Sequence, residues 1–228
     1  MVEIRLISKK RILFSGLILT SLILMAFFSF KKENKEDQFW NWFIKNEEYI
    51  YKNVDNLEFR DAIFDEITVH FQEIDENITF EFSPIHENGK REFSISADGI
   101  KESFSAVNKL ISKSPKLKNW QFNSFRQRIP GDQLIINYGD YKLGYNDIYF
   151  TYSADNDKLG IELFTRNFDD SGEMKNAIYI LLDGLIGEYD VTVNISWIEW
   201  KKLEEENIQN LQPLIDLRKV IDHRKKLN

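Results

Sequence analysis

The spacing of apolar and polar positions divides the chain into segments of different period. Residues 12–30, ILFSGLILTSLILMAFFSF, are apolar on every face and hold no charge over nineteen residues, and the charged stretch KKENKED follows them. Next, Trp40, Phe43, Glu47 and Ile50 share one helical stripe, with Trp42, Asn46 and Tyr49 on the next. Ala62, Ile63, Ile67, His70, Phe71 and Ile74 recur at three- and four-residue spacing within 56–74, so two helices paired as a hairpin are predicted. The period then drops to two. Ile78, Phe80 and Phe82 face one way, residues 84–89 turn, and Phe93, Ile95 and Ala97 return as a second strand. Ile100, Phe104, Val107 and Leu110 predict an amphipathic helix that stops at Pro115, and a strand at 120–126 follows.

A turn-rich connector covers 127–146, with a short strand at 134–138. Beyond it the same order returns. Ile148, Phe150 and Tyr152 alternate, residues 155–158 turn, and Ile161, Leu163 and Thr165 alternate back. Met174, Ala177, Ile178, Leu181, Leu182, Leu185 and Ile186 mark a helix, and Val191, Val193, Ile195 and Trp197 mark a strand. The expected fold class is therefore α+β: an N-terminal transmembrane helix, a helical hairpin, then two ββαβ units forming a mainly antiparallel sheet with helices on one face. The units fall at about 78–126 and 147–198 and read as a pseudo-repeat. A last helix is expected near 213–226. The domain plan is a basic tail at 1–11, an anchor at 12–30, a charged linker at 31–37 and a globular domain at 38–228.

Length governs the reading of 12–30. At about 1.5 Å per residue the run just crosses a hydrocarbon core of roughly 30 Å. A cleaved signal peptide has about 7–15 apolar residues before small residues at its cleavage site. Here Ser29 has Phe27 two positions before it and Ala26 has Leu24, and no cysteine is present to take a lipid. A single-pass membrane protein is expected. Arg5, Lys9, Lys10 and Arg11 precede the span and Lys31, Lys32, Lys35 and Lys45 follow it, a level count. The compact Lys9, Lys10, Arg11 group beside the span favours an inside N-terminus and an extracytoplasmic domain.

Charge narrows the partners. Four of the 30 basic groups and one of the 37 acidic groups lie in 1–30, which leaves 26 against 36 and a formal charge of −10 on the remainder. Nucleic acid is excluded as a partner on that balance. The basic tract at 218–226 reads as a helix C-terminus complementing its own dipole. The absence of cysteine removes disulfides, thiolate metal sites and cysteine nucleophiles.

No motif specifies a reaction. His70, His86 and His223 are too far apart in sequence for a metal-ligand spacing, and His70 with Glu66 reads as a helical i, i+4 pair. Residues 155–160, DNDKLG, begin like a calcium loop, but Leu159 offers no side-chain oxygen and Arg166 stands where a bidentate Glu is needed, so a hairpin turn is expected. Asp98 is expected to cap the helix after it, and Asp170 with Glu173 to form a capping box. Phosphate-loop, nucleophile-elbow and H-E-x-x-H patterns are missing. No catalytic, cofactor-binding or metal-ligating residue is assigned and no cofactor is expected; Glu47, Asp98, Arg126 and Glu188 are the candidates for a functional surface. Paired carboxylates such as Glu188 and Asp190 suit acid–base work only if a cleft raises a pKa.

FWNWFIKNE at 39–47, FSISADGIKESFSAV at 93–107, the stretch 115–128 with Trp120, Phe125 and Arg126, and LLDGLIGEYD at 181–190 together resemble a family of bacterial proteins of unknown function. The resemblance covers about residues 38–200 and implies a fold without implying an activity. The leading expectation is a membrane-tethered, non-enzymatic protein-interaction or immunity-like domain whose acidic face meets a basic protein partner. A carboxylate-dependent hydrolase and a structural envelope protein are the alternatives.

Overall fold

The computed structural model describes residues 34–155 and 157–226, so the expected anchor at 12–30 lies outside the described residues. Among the described residues no helix is long and apolar enough to cross a membrane. The chain is mixed α+β, with helices packed on three small, mostly antiparallel sheets.

Asparagines open the first two helices, α1 (Lys35–Asn53) and α2 (Leu57–Gln72). Asn34 accepts from the Asp37 amide and Asn56 from the Glu58 amide, which satisfies donors the helix cannot. The inward stripes are Phe39, Trp40, Phe43 and Ile50 on α1 and Ile63, Ile67 and Phe71 on α2. They cover a sheet of β1 (Thr79–Phe82), β2 (Arg91–Ser96) and β3 (Trp120–Ser124). β1 and β2 pair antiparallel; β2 and β3 pair parallel, and the chain crosses between them through α3 (Phe104–Ile111). Phe93 lies at the middle, stacked 4.5 Å from Phe82 and 5.4 Å from Phe43. Each such ring stabilises by about 1.5–3 kcal/mol on burial. The aromatic stripe read from the sequence is therefore what closes this half.

The second half has a separate, largely aliphatic core. β4 (Ile135–Tyr138) and β5 (Tyr141–Gly144) form a hairpin, and β6 (Ile148–Asp155), β7 (Lys158–Thr165), β8 (Ile195–Lys202) and β9 (Gln212–Pro213) form a sheet ordered β8-β7-β6-β9. β6 and β7 are antiparallel and β7 and β8 parallel, with α4 (Gly172–Ile186) and α5 (Glu188–Asn194) between the latter pair. Leu217 and Ile221 of α6 (Leu217–Lys225) are buried in the same core. At the bulge between Leu159 and Gly160 the indole of Trp197 lies on bare backbone: a Cβ on Gly160 would fall 2.0 Å from the ring.

Three local expectations are corrected. Val191 and Val193, predicted in a strand, lie on α5. Asp190 in its first turn is tied by Arg128, Lys225 and Asn194, and the acidic groups there suit a helix N-terminus. Asp170 is not a cap. Its φ of 62° is left-handed, its carboxylate pairs with Lys175, and Ser171 caps α4 by accepting from the Met174 amide. Asp98 is not a cap either, since its φ is 48° and its carboxylate turns to Arg126.

The segment after β3 ties the halves together by covering, with Arg218 of α6, the end of α4. Its last carbonyls have no partner within the helix. Ile129 N–H donates to Gly184, Arg128 Nε to Ile186 and Arg218 Nε to Leu185, at 2.7, 2.7 and 3.1 Å.

Candidate functional site

The turn between β2 and α3 places Asp98 and Gly99 in the left-handed region, at φ of 48° and 76°. This tight turn aims the amides of Ala97 and Gly99 at one point and forms an anion-binding hollow. Glu188 fills it. The amides of Ala97 and Gly99 donate to its Oε1 at 3.1 and 3.2 Å, and the Arg126 amide donates to its Oε2 at 3.0 Å. The Glu188 amide donates back to the Arg126 carbonyl at 3.1 Å. Glu188 is 1% exposed, so this carboxylate is spent on joining the two halves.

The Arg126 side chain projects from that junction among carboxylates. Its Nη2 donates to Asp98 at 2.6 Å, and its Nε and Nη1 stand 3.5 Å from Glu81 and Asp183. Burial works against its charge, but Asp98, Asp183 and Glu188 outweigh it and hold the guanidinium pKa above its ordinary value. Burial also pushes the Asp183 carboxyl up to about 7, with Glu188 and Glu81 adding to the shift and Arg126 opposing it. Glu81 shifts in the same direction for the same first reason, although its side chain is half exposed.

These groups line a cleft of about 880 Å³ between the halves. Phe80, Tyr138, Tyr179 and Trp197 supply its aromatic surface. Among the described residues that line it, Arg126 is the one basic side chain against Glu81, Asp98 and Asp183. With all four ionised the lining carries a charge of −2. Three carboxylates offer far more acceptor sites than one guanidinium has donors. The cleft is thus short of positive charge, and burial raises one of its carboxyls, Asp183, to about 7.

Of the four residues singled out by sequence, Asp98, Arg126 and Glu188 meet here. Glu47 does not. It sits on α1 and accepts from the Trp120 indole at 2.7 Å, bracing the first core. Glu81, Asp183, Tyr179 and Trp197 were missed. Asp183 carried the clearest signal, as a lone charge inside the apolar run LLDGLIG. The histidines stay apart from the cleft. His70 packs 4.8 Å from the Trp42 ring, and burial lowers its pKa against the opposing charges of Glu73 and Glu66. Asp155 and Lys158 face each other across the end of the β6–β7 hairpin. Among the described residues no group of three or more His, Asp or Glu could hold a metal ion.

No protein-family model, curated protein or solved structure matches the chain. The site's geometry therefore carries the functional argument.

Proposed function

We propose that this protein is a membrane-tethered binding domain that takes a basic segment of a protein partner into the cleft between its halves. The anchor is residues 12–30, with the domain on the extracytoplasmic side, and no chemistry is performed on the partner. The observation that carries the reading is the imbalance in the cleft: Glu81, Asp98 and Asp183 face Arg126 alone, and Asp98 already engages it. An acidic concavity attracts basic partners over roughly a Debye length, about 8 Å at physiological ionic strength, and loses them as salt rises. An internal duplication would account for the shared order of hairpin, helical crossover and parallel strand at 78–126 and 147–198.

The test is binding of defined basic peptides to the full chain in nanodiscs at about 20 and 300 mM salt. Salt-weakened binding that Glu81→Lys and Asp183→Lys abolish is the expected result. Salt-insensitive binding, or none from a folded protein, refutes the proposal. A second reading is favoured by one observation, the Asp183 pKa of about 7. A carboxyl tuned in this way can act as a general acid in a carboxylate-dependent hydrolase. Turnover of any ester, amide or glycoside that Asp183→Asn removes would support that reading instead.

A further inference from the structure

Two features of the cleft go beyond a general preference for basic partners. The first is the preparation of its aromatic wall. Trp197 and Tyr179 stay 43% and 41% exposed inside a concavity. Trp197 is fixed there because Gly160 leaves room for the indole on the backbone of β7. An exposed ring seated in a purpose-shaped gap is a surface for stacking. The second is the division of labour among the carboxylates. Arg126 is committed to Asp98 at 2.6 Å, while Glu81 and Asp183 sit 3.5 Å from its other nitrogens, beyond the usual range for a charged hydrogen bond. Both are held to Arg126 only by these longer ion pairs, and both line the same cleft as Trp197 and Tyr179.

We propose that the cleft is a pocket for a single arginine side chain of the partner, its guanidinium stacked on Trp197 and Tyr179 and paired with Asp183 and Glu81. Arginine fits better than lysine because a planar guanidinium stacks on indole and spans two acceptors, whereas an ammonium is a compact and strongly hydrated point charge. Arg126 is a positioning residue here, held by Asp98 as it keeps the carboxylates apart. The inference rests on the binding reading above and narrows it from a basic segment to one side chain.

The experiment titrates the full chain in nanodiscs with acetyl-Gly-Arg-Gly-amide, its lysine counterpart and its citrulline counterpart, followed by calorimetry and tryptophan fluorescence. Citrulline keeps the shape of arginine and removes its charge. The expected result is binding of the arginine peptide, with about tenfold or greater loss for citrulline and a smaller loss for lysine. Trp197→Leu and Glu81→Gln should each weaken the arginine peptide severalfold, and Trp197→Phe serves if the leucine variant does not fold. Equal binding of citrulline, or binding indifferent to both Trp197 and Glu81, overturns the pocket. Capture of longer basic peptides without any arginine-peptide binding overturns it too, while leaving the binding reading intact. Arginine-peptide binding with no capture of longer basic peptides keeps the pocket and removes the partner reading.

Discussion

Glu188 offers the sharpest test of how the halves are joined. Truncation to alanine removes the acceptor for three amides, of which Ala97 lies in the core while Gly99 and Arg126 lie closer to solvent. A buried amide left without an acceptor costs about 1–3 kcal/mol, and water offsets part of that where it can reach. Taking about 2 kcal/mol for Ala97 and about 1 kcal/mol for each of the others gives roughly 4 kcal/mol for Glu188→Ala. Glutamine keeps one accepting oxygen but turns an amino group toward an N–H donor, so about 2 kcal/mol is expected for Glu188→Gln. Against a typical stability of about 5–15 kcal/mol, the alanine variant loses a large fraction. The assay is urea denaturation of the full chain in detergent by tryptophan fluorescence, with exposed Glu206→Ala as a control expected within about 0.5 kcal/mol. Hydrogen exchange at the Ala97 amide should accelerate in parallel. A loss below about 1 kcal/mol for Glu188→Ala, matching the control, would refute the role of this carboxylate as the junction.

Three further outcomes follow from neighbouring contacts. Gly160→Val drives a side chain into the Trp197 ring, so a loss of about 1–3 kcal/mol and a red-shifted tryptophan emission are expected; an unchanged spectrum counts against the seated indole. Arg91 is 1% exposed and pairs through both amino groups with Asp55, which is drawn below its ordinary pKa, and it also donates to the Ser83 carbonyl at 2.9 Å. Asp55 is two-thirds exposed and keeps its hydration when the guanidinium is removed, so Arg91→Ala should cost about 1–3 kcal/mol by chevron or melting analysis, and a value near zero would place the guanidinium outside the core. Asp183 binds its proton more tightly folded than unfolded, so its contribution is full below about pH 4 and is lost as pH rises through about 7. Asp183→Asn should therefore gain stability relative to the parent as pH climbs from 4 to 8, and a constant difference across that range would remove the buried carboxyl from the account.

Much of the fold was written in local periodicity. The aromatic stripe of α1, the period-two runs of β1, β2, β6 and β7 and the apolar face of α4 needed no long-range information, because each buries one face of one element. Val191 and Val193 misled because their alternation suits a strand, while the ties from Arg128 and Lys225 to Asp190 hold the segment helical. β9 is two residues long, too short for a pattern to register, and β5 falls inside the turn-rich stretch at 127–146. The site was legible only as fragments. Asp98, Arg126 and Glu188 each drew notice in the sequence, but the contacts that join Arg126 to Asp98 and to Glu188 span 28 and 62 positions, and that of Glu188 with the Ala97 amide spans 91. No local period encodes contacts at that distance. Glu81 looked like an ordinary outward-facing strand residue and Trp197 like one more apolar position of a strand, and only the packing of the two halves turned them into one concavity.

The hollow at Ala97 and Gly99 has a consequence for synthesis on the ribosome. Every buried residue of the first core lies between Phe39 and Phe125, and from the later chain the partly buried Val193 packs against it, so most of that half can close before the second is made. Glu188 emerges 62 residues after Arg126, an interval of roughly 3–12 s at translation rates of about 5–20 residues per second. Throughout that interval the amides of Ala97, Gly99 and Arg126 lack the Glu188 carboxylate that accepts from them in the complete chain. The arrival of one glutamate then marks the moment at which the two halves become a single protein.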